Sequence, residues 1–431
     1  MSKLRKTELG HYVLSFFEMH VDTWKSDMTI NKLPPRDMTV LFHEYIHFLQ
    51  DFTTYYGLNQ LYVQSEYLHS VVNRIYNIQS GTFAVPFKIE DNDDNVLLNR
   101  QICKFTLGDT EELKQMDIVE LIEDYDSLMD NSYMKGIPNV IINTKDEMLI
   151  FGAMAIMESM AYIMERLCSP NDYEESPDFP YKSAEKVASY YSPDFGSDPF
   201  MVLALCDMCL QSSNPGPCFV RTMKGIQTGS IKFQKPEEIY DYFYNQKALM
   251  AQDKRIVYYM DSFNELSNVV QNLTKSYYKD LPNVELFYEW IDRLTDFAKW
   301  WRNDNRYFLL EMAKLNNLAT NSCWGKAVHD VGTPLMSNNI PGHYYKIPPV
   351  EMKPGMGVEL FKALYELKKL FDYGNTECSM LEWCKDSKLA NCDDNCKKSP
   401  WLKCKDKELC PYALTWRHWN LTGKVPVEQG T

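Results

Sequence analysis

Residues 39–51 read TVLFHEYIHFLQD, and both the fold and the chemistry of the chain turn on how this stretch is read. Two histidines four residues apart, His43 and His47, project from one side of a helix, so both imidazoles can reach a single ion. Glu44 then sits beside the remaining coordination position, where it can take a proton from a water that the metal has acidified. Phe42, Tyr45, Ile46, Phe48 and Leu49 are uncharged, as a helix buried behind a reaction centre requires. The bland alternative is a pair of core histidines hydrogen-bonded around a salt-bridged glutamate. Against it, with 8 histidines in the chain, a chance HExxH arises in roughly one such sequence in a hundred.

Working outward, Pro34-Pro35 precede the stretch, Asp37 is a candidate N-cap and Gly57 a candidate stop, which predicts a helix over 37–56. A second helix follows over 58–78, with an apolar stripe through Leu61, Tyr62, Leu68, Val71 and Val72. An acidic amphipathic pattern covers 109–128. Residues 146–167 (DEMLIFGAMAIMESMAYIMERL) are apolar on nearly every face and should lie deep inside. Further helical patterns run over 199–212, 254–275, 284–315 and 357–370. Strand signals are confined to 82–90 and 139–143, with a turn at Asp91–Asp94. The expected fold is therefore mainly α with a small β component. Composition shifts near Asn375, so residues 1–375 are expected to form the main domain and 376–431 a cysteine-rich module.

The run HEYIHFLQDFTTYYGL, residues 43–58, resembles the active-site helix of the zincin metallopeptidases. It is particularly similar to the thermolysin-like group, whose helix also continues to an Asp, a Thr and a Gly. The resemblance is confined to this helix. It implies an α+β zincin-like zinc peptidase with His43 and His47 as ligands and Glu44 as general base. A catalytic zinc needs a third protein ligand. The third histidine of the metzincin continuation is absent here, so the pattern is gluzincin-like, with a glutamate from a later helix completing the site. Glu158 is the preferred ligand, because a carboxylate among Met154, Ile156, Met157, Met160 and Ala161 is costly to bury unless a cation neutralises it. Glu66, which lies 19 residues after His47 (66 − 47), is the alternative and sits in the more polar setting of Gln64, Ser65 and His69.

The thermolysin-like group carries an Asp four residues beyond its ligand glutamate, to orient a zinc histidine. That place holds Tyr162 after Glu158, or Ser70 after Glu66, so the partner must come from elsewhere, with Asp51 and Glu165 as candidates. The structural alternative for Glu165 is an ion pair with Arg166 or a lysine. Amide hydrolysis also calls for a donor to the oxyanion, and the loop NIPGHYY, residues 339–345, offers His343, with Tyr344 and Tyr345 beside it.

Cys378, Cys384, Cys392, Cys396, Cys404 and Cys410 fall within 33 residues, without a CxxC among them. Thiolate binding of a second Zn²⁺ or an iron–sulfur cluster is the leading expectation, followed by disulfides and then by unligated thiols. Cys206 and Cys209 do form a CxxC, but in an apolar helical setting that suits small core residues. The net charge of −14 disfavours nucleic acid as a partner, and no apolar stretch is long enough to span a bilayer. The expected setting is cytoplasmic and the expected partner a protein or peptide substrate, cut by an endopeptidase rather than an exopeptidase. A non-enzymatic interaction protein, or a redox or metal sensor built on the cysteine module, is the rival reading, with the HExxH helix kept as structure.

Overall fold

A computed structural model describes residues 9–89, 95–125, 136–249, 255–353, 357–387 and 392–428. The predicted first helix is α1, Pro35–Thr53, with proline at its first position, where the missing N–H costs nothing. Asp37 is not its cap but lies in its first turn, accepting a hydrogen bond from Thr23 Oγ1 at 2.6 Å. The chain does not run straight on. Thr54 caps the second helix, α2, Tyr55–Asn77, by accepting the Gly57 N–H at 3.0 Å and donating to Gln50 O at 2.7 Å. Gly57 is thus inside α2 rather than at the end of α1. A Cβ there would lie 2.4 Å from the carbonyl oxygens of Gln50 and Asp51, so only glycine lets the two helices meet this closely.

Two short strands precede α1. They are β1, Gly10–Val13, and β2, Glu18–Val21, which pair antiparallel. β2 runs parallel to Leu335–Ser337, which pairs antiparallel with Tyr344–Tyr345, giving a four-stranded sheet with β1 at one edge. α1 packs against β1 and β2 on one side and against a helix, Ala153–Cys168, on another. Asp51 fastens the turn after β1 to α1: it accepts from Tyr12 OH at 2.9 Å and from the Ser15 N–H at 2.6 Å.

Burial pushes the Asp51 carboxyl up to about 7, although those two hydrogen bonds pull the other way. The folded chain therefore holds a proton that the unfolded chain releases above its ordinary value of 3.8, so stability falls between pH 4 and 7 and is flat outside that window. Urea unfolding of wild type and Asp51→Asn across that range should show the wild type losing ground by up to about 4 kcal/mol. A constant difference would remove Asp51 from the account.

Several predicted elements differ in the structure. β3 covers only Thr82–Val85, because Pro86 cannot extend the ladder. The turn expected at Asp91–Asp94 lies outside the described residues, and Asn95–Leu107 forms an unanticipated helix, α3. The helix expected over 109–128 is replaced, in its described part, by β4, Ile118–Asp124, which pairs with β5, Asn139–Thr144. Here β-branched residues on both strands outweigh a local amphipathic pattern. Met148–Ile150 joins this sheet as β6, so the apolar helix α4 begins only at Ala153. Gly152, just before it, lies so close to Leu107 and Gly108 that a Cβ would meet backbone at 2.5 Å. The pattern at 254–275 opens with a strand, Ile256–Tyr258, before its helix. The one at 284–315 is broken by a π turn at Trp300–Asp304.

That π turn places Arg302, fully buried, against the end of α1. Its guanidinium donates to Thr53 O at 2.6 Å and grips Asp207 through two bonds of 2.8 Å, while Tyr240 OH donates to the same carboxylate at 3.0 Å. Removing one member of such a pair leaves the other charged and dry. Arg302→Met should cost about 3–5 kcal/mol in denaturant unfolding; a change below 1 kcal/mol would mean that water reaches Asp207.

The fold is mainly α with small sheets, as the sequence predicts. The chain beyond residue 375 adds Trp401, Cys404, Tyr412 and Trp416 to the same hydrophobic core as α1 and α4, and its last strand, Val425–Glu428, pairs parallel with β3.

Candidate metal centre

α1 and α4 cross so that His43 and His47 on one helix face Glu158 on the other. Their ligand atoms all lie within 4.8 Å of one another, and all three residues are buried. Among the described residues this is the one group of three or more His, Cys, Asp or Glu side chains that meets that spacing. His43 Nε2 stands 3.2 Å from Glu158 Oε2, and His47 Nε2 stands 3.5 Å from the same oxygen.

The opposite ring nitrogens are engaged from behind. His43 Nδ1 is 2.7 Å from Glu165 Oε2, and His47 Nδ1 is 2.8 Å from Gln50 Oε1, whose own amide is anchored on Met157 O at 3.0 Å. If each Nδ1 carries the ring proton into its oxygen partner, both Nε2 lone pairs point at the Glu158 carboxylate. Two lone pairs facing an anion in a fully buried site is an arrangement that a cation resolves. His47 Nε2 and Glu158 Oε1 make no hydrogen bond and are shielded from solvent, which costs free energy until something coordinates them. The donor set, two imidazoles and one carboxylate, suits Zn²⁺ and would supply three of its four usual ligands.

In the metal-free protein, burial pushes the Glu158 carboxyl up, but His47 and His43, when protonated and donating to it, prevail and hold it well below the usual carboxylate range; a bound cation takes the place of those ring protons. Glu44, one residue after His43, is also fully buried. A Cβ on residue 10 would lie 2.9 Å from Glu44 Oε1 and equally close to Val40 and His20 O, so β1 can pass over the glutamate only as glycine. Tyr181 closes another side, its ring edge-on to His43 at 6.3 Å.

The structure thus joins His43, His47 and Glu158, with Glu165 behind His43. The alternative ligand Glu66 is not in this group. It is half-buried on α2, beside Tyr62 and Tyr277. Asp51 serves β1 rather than a ligand histidine. His343, on the loop between Leu335–Ser337 and Tyr344–Tyr345, meets Asn338 Nδ2 at 2.8 Å and is outside the ligand group too. Cys206 and Cys209 are fully buried core residues. Gln50, Gly10 and Tyr181 were not anticipated. Gln50 alone had a readable signal, its place three residues after His47 on the same helical face.

Glu165→Gln tests the positioning role. It should weaken zinc binding by about 10- to 100-fold while leaving the fold intact, because it replaces a charged partner of the His43 ring by a neutral one. Competition with a chromophoric chelator reads this directly, and unchanged affinity would make Glu165 a structural residue only.

No protein-family model matches this chain, and neither curated proteins nor solved structures give a significant match. Among the described residues, no helix is long and apolar enough to cross a membrane. The class that the site suggests therefore rests on its own geometry.

Proposed function

We propose that this protein is a zinc-dependent metallopeptidase, more specifically an endopeptidase acting on a protein or peptide substrate in the cytoplasm. The observation that carries the proposal is the convergence, out of reach of solvent, of Glu158 with His43 Nε2 and His47 Nε2, two nitrogens of the helix that also holds Glu44. When bound, zinc supplies Lewis acidity toward a water and a peptide carbonyl. Glu44 takes a proton from the attacking water and returns it to the departing amine as the C–N bond breaks. Glu165 and Gln50 hold the two imidazoles in the ligating orientation. The apolar flanks of α1 and α4 exclude bulk water and strengthen each of these charges.

His43, Glu44, His47 and Glu158 are all 0% exposed, so a substrate gains access only when a covering element, β1 above Glu44 or the segment bearing Tyr181, moves aside. Such closure supports a peptidase dedicated to few substrates. It also gives substance to a second reading, a structural metal centre without turnover. The test is cleavage of a diverse fluorogenic peptide library by the zinc-loaded protein. Cleavage lost on chelation and regained with zinc is the expected result, and no cleavage by a demonstrably zinc-loaded chain would favour the structural reading.

A further inference from the structure

Five of the six cysteines beyond residue 375 come together. Cys378, Cys384, Cys392, Cys396 and Cys410 line one small cavity of about 20 Å³, with Lys403 at its wall. Cys404 is turned away and packs in the hydrophobic core. The five arrive from separate local structures. Cys384 sits on the helix Leu381–Ser387, Cys396 on Asp394–Lys398, and Cys410 caps Pro411–His418.

The thiols of Cys384 and Cys410 interact directly, as do those of Cys392 and Cys396, and Cys392 lies close enough to both members of the first pair to feel their charge. None of them is in a disulfide. Cysteines used as small apolar filler bury their sulfurs against aliphatic side chains. Here sulfur faces sulfur around a void with room for about one water-sized occupant. Moreover, the Ala413 N–H is directed at Cys410 Sγ at 3.5 Å, and a backbone donor aimed at sulfur favours thiolate over thiol. Lys403 and Glu408 also line the cavity, and Lys403 is itself paired with Asp393 at 3.0 Å and Asp406 at 2.5 Å.

We infer that Cys384, Cys392, Cys396 and Cys410 form a second metal centre, a tetrathiolate site for a thiophilic cation, with Cys378 lining its wall without ligating. Each thiol gives up its proton to solvent as the metal binds. No three of these sulfurs lie within 4.8 Å of one another among the described residues. Zn–S bonds of about 2.3 Å imply S···S edges of about 3.8 Å. A single Zn²⁺ would therefore draw the ligands inward, whereas an iron–sulfide cluster would hold them farther apart. Both are the same ligand chemistry, and the metal retained tells them apart.

The test uses the full chain carrying His43→Ala and His47→Ala, so that the histidine site contributes no metal and the failure of one centre cannot be mistaken for failure of the other. Purified with and without oxygen, this protein should retain about one zinc per chain, or iron with acid-labile sulfide and visible absorption. Adding Cys392→Ser and Cys396→Ser should abolish retention, and adding Cys404→Ser should not. Because the serine variants can fail to fold, thiol alkylation of the otherwise unmutated chain gives a second readout. Cys384, Cys392, Cys396 and Cys410 should be protected until a chelator is added. Absence of metal in both preparations, retention by the double serine variant, or recovery of these cysteines as disulfides would overturn the inference.

Discussion

Glu158→Ala should strip the histidine centre of its metal, lowering zinc affinity by more than about a hundredfold, the upper end of what loss of an outer partner alone costs. The change removes the only anionic ligand and leaves two neutral nitrogens, His43 Nε2 and His47 Nε2, as donors. It also removes the oxygen that His43 Nε2 and His47 Nε2 face at 3.2 and 3.5 Å, so the metal-free variant should be less stable than metal-free wild type, and each zinc response is measured against its own metal-free Tm. The readout is the rise in Tm on adding zinc. A ligand at a hundredfold excess over its Kd adds about 2.7 kcal/mol to the folded state, and that increment should vanish in Glu158→Ala. Glu158→Gln, which keeps the volume and one oxygen donor, should fall between the two. An undiminished zinc response in Glu158→Ala would point to a different third ligand and reopen the case for Glu66.

Glu44→Gln should reduce peptide hydrolysis by about 10²- to 10⁴-fold, the usual contribution of a positioned general base, with zinc content and Tm close to wild type. The substitution preserves the volume beneath Gly10, where there is no space for a larger group. Gln also keeps an acceptor oxygen but cannot take the proton from water. The effect should therefore fall on kcat rather than on metal binding, which separates Glu44 from Glu158. If the site is only structural, the variant and the wild type are equally inert toward every peptide tested.

The pairing of His43 with His47 was legible because two residues four apart lie on one face of a helix. Glu158 was legible for an energetic reason, since its flanking methionines and alanines leave a carboxylate no solvent to face. Glu165, two turns on along the same helix, was one of two candidate partners, with Asp51, and an ion pair with Arg166 or a lysine was an equal reading of it; the structure sets it 2.7 Å from His43 Nδ1. The rest depends on contacts between distant residues. Gly10 matters only because β1 crosses Glu44, and its position in the sequence carries no sign of that. β4 reads as an amphipathic helix until β5 is present to pair with it. Arg302 looks like a surface charge until the π turn at Trp300–Asp304 swings it under α1. The cysteines were visible as a set, but their separation into five around a cavity and one in the core required the fold.

The central claim is that His43, His47 and Glu158 bind one zinc ion, and anomalous diffraction at the zinc edge from zinc-loaded crystals tests it most directly. The account predicts a peak about 2.0–2.2 Å from His43 Nε2, His47 Nε2 and a Glu158 oxygen, with Glu165 and Gln50 still on the far ring nitrogens. Zinc-loaded crystals that show no peak between α1 and α4 would contradict it.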